Sequence, residues 1–154
     1  MTTLYTYNAE GRREVTALDY TGLDRITKTV SDVVSKSGTI VRRTTTQVWA
    51  TDNTNTATTV STTEQDGYGN QSWQADIDGN VTHTELDRTA AGEWTVTTTR
   101  PDGTSQVQAY EDGRLASSAT YTSTSVLNLQ TTYAYDAHGR LQAQTDARTG
   151  ATTY

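Results

Sequence analysis

Cysteine and phenylalanine are both absent from this 154-residue chain, and proline occurs once. Without cysteine there is no disulfide, no thiolate nucleophile and none of the usual structural zinc sites. Hydrophobic residues make up only 32% of the sequence, too few to fill a thick interior, and composition this poor ordinarily signals disorder. No apolar run is long enough for a transmembrane helix, and Thr2 to Arg13 is too polar to read as a secretory leader. Cations are also in deficit: 12 Lys and Arg stand against 18 Asp and Glu, a net charge of −6. Nucleic-acid affinity rests largely on cations that neutralise phosphates, so no nucleic-acid partner is expected.

Strand formers are what the chain does have. Thr is the commonest residue, and with Val, Tyr and Trp it favours sheet. Turn signals punctuate the chain at Asn8–Gly11, Asp19–Gly22, Ser35–Gly38, Asp52–Asn55, Asp66–Gly69 and Asp76–Gly79. They continue at Thr89–Gly92, Arg100–Gly103, Tyr110–Gly113, around Ser125–Asn128, and at Asp136–Gly139 and Asp146–Gly150. Such spacing suits consecutive hairpins, and a repeat on this scale means an array rather than a globule. The expected fold is all-β: about thirteen antiparallel strands in one domain over 1–154, each pairing with the next, curled or open, with no helix. The long gaps Leu23–Ser35 and Thr39–Asp52 imply longer strands or a bulge. Trp94, Val96 and Thr98 are expected on one face, as are Leu115, Ser117, Ala119 and Tyr121. The one proline, Pro101, sits at the second position of a turn, where its fixed φ helps. A membrane barrel would need a lipid-facing apolar band, and the Thr-rich run from Thr44 to Glu64 offers none, so membrane insertion is not expected.

One phrase organises the rest. Tyr133-Ala134-Tyr135-Asp136-Ala137-His138-Gly139-Arg140-Leu141, followed by Gly150, places two rings on one face of a strand and then Asp136 and Gly139 at the first and fourth positions of a type I turn. Tyr5-Thr6-Tyr7-Asn8-Ala9-Glu10-Gly11-Arg12, followed by Gly22, repeats it. These residues resemble the RHS or YD repeats of bacterial polymorphic toxins, insecticidal toxin complexes and animal teneurins. The likeness covers Tyr5–Ile26 and Tyr133–Tyr154; between them the turns persist while most tyrosines are lost. The resemblance implies a structural role, in a shell that encloses a toxic domain or in a cell-surface array, and a secreted or surface location. The family's self-cleaving Asp-Pro-x-Gly segment has no counterpart, since Pro101 precedes Asp102. An array whose outer repeats are not capped is expected to be part of a longer repeat protein, or to self-associate through its edge strands.

Candidate chemistry is sparse. Asp76-Ile77-Asp78-Gly79-Asn80 with Asp87 has the oxygen spacing of a calcium loop, but Val81 stands where that loop requires glycine, so a hairpin turn is the better account and no metal is expected. His83 and His138 have no partner constellation and read as exposed polar residues. Most aspartates begin turns, and a thin sheet provides no pocket to raise a catalytic pKa, so neither catalysis nor a cofactor is expected. Asn70-Gln71-Ser72 and Asn80-Val81-Thr82 match the glycosylation pattern, which carries little meaning in a bacterial protein. The alternative function is a carbohydrate-binding module that stacks a glycan on Trp49, Trp73 or Trp94, against which stands the use of these rings in cross-strand packing.

Overall fold

The computed structural model describes residues 2–7, 13–18, 25–50 and 57–154, with side chains from Thr27 to Trp49 and from Ala57 onward. Among these residues there are thirteen strands and no helix. They are β1 (Thr2–Tyr7), β2 (Arg13–Leu18), β3 (Arg25–Lys36), β4 (Thr39–Ala50), β5 (Thr58–Asp66), β6 (Gln71–Ala75), β7 (Val81–Ala90), β8 (Glu93–Thr99), β9 (Ser105–Glu111), β10 (Arg114–Tyr121), β11 (Leu127–Tyr135), β12 (Leu141–Asp146) and β13 (Gly150–Thr153). The chain forms two compact units, Met1–Val81 and Thr82–Tyr154. Within each, every described pairing joins a strand to its sequence neighbour, and all are antiparallel. The expected all-β hairpin array is what the chain builds.

The thinness inferred from composition is visible in burial. Among the described residues only two apolar side chains, Val41 and Ala119, are buried, together with Thr131. Nearly everything else on the strands is half-buried or exposed, as in a sheet with solvent within reach of both faces. Cross-strand neighbours therefore supply the packing that a second layer would otherwise give.

Hairpins close in two main ways. Lys36 pairs with Thr39 and Glu111 with Arg114 around two-residue turns. In these, Ser37 and Gly38 have φ of 49° and 87°, and Asp112 and Gly113 have 48° and 79°, the doubly left-handed form whose twist matches the strands. Five residues instead separate Thr99 from Ser105, Tyr121 from Leu127, and Tyr135 from Leu141. The first Tyr-containing phrase keeps this frame, since Tyr7 pairs with Arg13 across five residues. Its turn, with Gly11, and the expected reversals at Gly22 and Asp52–Asn55 lie outside the described residues.

Three readings of the strands are refined. The long gaps resolve into twelve-residue strands β3 and β4, with a register shift between Thr46 and Gln47 where β4 meets β5. Leu115 does not share a face with Ser117, Ala119 and Tyr121. It pairs with Tyr110 while Ser117 pairs with Ala109, so Ala116 is an extra residue; adjacent residues of β9 face opposite ways, and the bulge carries Leu115 to the other side. The turn expected around Ser125–Asn128 lies at Thr122–Val126, with β11 already begun at Leu127. Thr122 there replaces Asp: its hydroxyl accepts the Val126 amide at 3.2 Å. Ser125 takes the left-handed conformation, φ 60°, where other turns use glycine.

Candidate functional site

The five-residue turns are the most regular feature of the chain. In Asp136–Arg140 the Gly139 amide donates to the Asp136 carbonyl at 2.9 Å, as the type I reading requires, and the Asp136 amide donates to the Arg140 carbonyl at 2.9 Å. The Asp136 carboxylate then accepts from the amides of His138 and Arg140, both at 2.9 Å, and from the Arg140 guanidinium at 2.8 Å. The Arg140 amide and then its side chain are the main reasons this carboxyl lies below its ordinary pKa. Gly139, at φ +81°, closes the loop in a conformation other residues adopt at a cost.

Asp76–Asn80 has the same bonds. Gly79 donates to the Asp76 carbonyl and Asp76 to the Asn80 carbonyl, both at 3.1 Å. The carboxylate accepts from the Asp78 and Asn80 amides, both at 2.9 Å, and from Asn80 Nδ2 at 3.0 Å. The Asn80 side chain, then its amide, lowers the Asp76 pKa. What resembles a calcium loop in spacing is thus a turn whose first carboxylate binds its own backbone. Arg100–Thr104 keeps both backbone bonds, at 2.9 and 2.8 Å, with the carboxylate moved to Asp102. That group accepts the Thr104 hydroxyl at 2.7 Å and amide at 2.9 Å, which lower its pKa in that order. At Asp146–Gly150 the Asp146 carboxylate accepts the Arg148 amide at 2.7 Å, and Gly150 has φ 82°.

Tyr133 and Tyr135 stand on one face of β11, half-buried. The Tyr135 hydroxyl donates to the Leu115 carbonyl at 3.0 Å, and the Arg114 guanidinium lies over the Tyr135 ring, 5.8 Å from its centroid. Arg114 also covers Gly139, so the first residue of β10 rests on a ring of the next strand, β11, and on the glycine of the turn that follows it. Nothing in the sequence singled out Arg114. Tyr5 and Tyr7 occupy β1, in the corresponding positions of the first phrase.

Each tryptophan has its own setting within its unit. Trp94 stacks on Tyr110 across β8 and β9, centroids 5.2 Å apart and planes 9° from parallel. Trp73 pairs with Glu64, and the Lys36 ammonium sits 4.9 Å from its ring centroid while pairing with the Glu64 carboxylate. Beside it, Arg43 grips Asp32 at 3.0 and 2.6 Å; that bond is the main cause of the raised Arg43 pKa. Lys36 reaches from β3 across β4 to β5, and in the intervening strand Val41 is fully buried. Trp49 is half-buried on β4, its Nε1 enclosed without a hydrogen bond among the described residues. For Trp73 and Trp94, an aromatic face a glycan would use is already used by the fold. His138 lies exposed in its turn, whereas His83, expected to be exposed, is half-buried on β7. Comparison with known proteins adds no family to this picture: no protein-family model matches the chain, and no curated protein matches it.

Proposed function

We propose that this chain is a non-catalytic scaffold, a run of YD-type hairpins of the kind that builds an RHS-repeat shell or a cell-surface array. The observation that carries the reading is the recurrence of one turn, with the same two backbone bonds, at Asp76–Asn80, Arg100–Thr104, Thr122–Val126 and Asp136–Arg140. A reversal that recurs with the same bonds lets hairpins be added in series, which is what an extendable wall needs and a catalytic pocket does not. The carboxylates with lowered pKa are bonded to residues of their own turns. The reading makes the neighbouring hairpins of a longer repeat protein the natural partner.

Two experiments test it. Ala134→Thr, Asp136→Asn and His138→Glu together convert the second Tyr-containing phrase into the first. Equivalent repeats predict a cooperative fold that loses less than about 1.5 kcal/mol, the range of single-site surface and cap changes. Collapse of the sheet would show that the two phrases are unrelated. The shell role is tested by inserting the chain in frame between two hairpins of an RHS shell. Retained protease protection of the enclosed domain supports the reading, and exposure of that domain counts against it.

A further inference from the structure

We propose that Asp112–Gly113 is a site of spontaneous backbone modification, where aspartate converts to isoaspartate through a cyclic succinimide. The proposal is independent of the scaffold role. Four Asp-Gly pairs occur in the chain, beginning at Asp66, Asp78, Asp102 and Asp112, and all lie at hairpin reversals. The chemistry needs a side-chain carboxyl and the next residue's amide, both free to meet. Glycine in the second place puts no β-carbon beside the attacking nitrogen.

At Asp112 the Gly113 nitrogen attacks the side-chain carboxyl carbon, Cγ. The N–Cγ bond forms, the bond from Cγ to the carboxyl hydroxyl breaks, and that hydroxyl leaves with the amide hydrogen as water. Water then adds to either ring carbonyl. Opening at the main-chain carbonyl leaves the backbone running through the Asp112 Cβ, with no net change in mass.

Hydrogen bonds separate the four pairs. The Asp66 carboxylate accepts the Asn70 and Gln71 amides at 2.7 and 3.2 Å. That of Asp102 accepts the Thr104 amide and hydroxyl, and the Gly103 amide donates to the Arg100 carbonyl at 2.9 Å. At Asp78 it is the nucleophile that is held, since the Gly79 amide donates to the Asp76 carbonyl at 3.1 Å. Asp112–Gly113 carries neither restraint. Among the described residues the Asp112 carboxylate forms no hydrogen bond or ion pair, and the Gly113 amide donates to no carbonyl. The two-residue turn explains this, because Glu111 pairs directly with Arg114 and leaves the Gly113 amide outside the ladder.

Conformation and exposure point the same way. Of the four aspartates only Asp112 is left-handed, φ 48°, which an L residue adopts at a cost. The extra main-chain methylene of isoaspartate lifts that restriction. Glu111 to Arg114 are all exposed, so water reaches the ring it must open. A methyl group at Gly113 would meet nothing within 4 Å, so no neighbour crowds the ring.

The test holds the full folded chain at mildly acidic pH and physiological temperature for several weeks. Isoaspartate is mapped by electron-transfer fragmentation of the peptides, and its total is read by enzymatic isoaspartyl methylation. It should accumulate at Asp112 at least about fivefold faster than at Asp66, Asp78 or Asp102, the rate factor that one ordinary hydrogen bond confers. In urea the four rates should draw together, since only local sequence then separates them. Asp112→Glu, which cannot close a five-membered ring, should remove most of the methylation. A smaller lead at Asp112 in the folded chain, or none, overturns the proposal. So does an equal lead in urea, or methylation that persists in Asp112→Glu.

Discussion

Gly113 and Gly139 have nearly the same backbone conformation, φ +79° and +81°, but different surroundings. A methyl group at Gly113 meets nothing within 4 Å, whereas at Gly139 it would lie 2.8 Å from the Arg114 Cζ. Gly113→Ala should therefore cost about 1–2 kcal/mol, the strain of a left-handed alanine alone. Gly139→Ala should cost about 0.5–1 kcal/mol more, because Arg114 must leave the Tyr135 ring. Urea denaturation of both variants checks this, and in an Arg114→Ala background the difference should vanish. Asp76, Asp102 and Asp136 give a pH prediction at the same scale. Their folded pKa values are lowered, so each contributes stability above the ordinary carboxylate pKa and loses it as pH falls through the folded value. The urea midpoint should drop between neutral pH and about pH 3, and Asp136→Asn should drop less over that interval. Glycine and aspartate spacing made most of these residues legible in the sequence. The arginine was not, since its role depends on which strand lies beside which turn.

Among the described residues, hairpins were readable where Asp or Gly marked the turn, and the one at Thr122–Val126, which has neither, was misplaced. Thr122–Val126 is the instructive case, with a hydroxyl in place of the carboxylate and Ser125 at φ 60° in place of glycine. Restoring the usual residue should help: Ser125→Gly is expected to stabilise the chain by about 0.5–1 kcal/mol, by relief of left-handed strain, read as a raised urea midpoint. The bulge at Ala116 was hidden for another reason. Alternation along β10 looks continuous in sequence, and only pairing with β9 reveals the extra residue. Packing between strands is carried by pairs such as Trp94 and Tyr110. A double-mutant cycle with Trp94→Ala and Tyr110→Ala should give a coupling of about 0.5–1.5 kcal/mol, the worth of a stacked aromatic pair beyond its buried area. Coupling near zero would mean that each ring packs independently.

For the whole molecule, the sparse hydrophobic content foretold a sheet with almost no interior, and Val41 and Ala119 are the only buried apolar side chains among the described residues. What composition could not foretell is that Trp73 and Trp94 are each engaged by a cross-strand neighbour, because that follows from register. The account holds that the backbone ladder and its self-bonded turns, and not a buried core, keep this chain folded. Amide hydrogen exchange measured by NMR tests that most directly. The amides of Gly79, Gly103, Ser125 and Gly139 each donate across their own turn. They should be protected together with the strand amides that flank them. Exchange of these four at unfolded-chain rates, with protection confined to the strands around Val41 and Ala119, would contradict it.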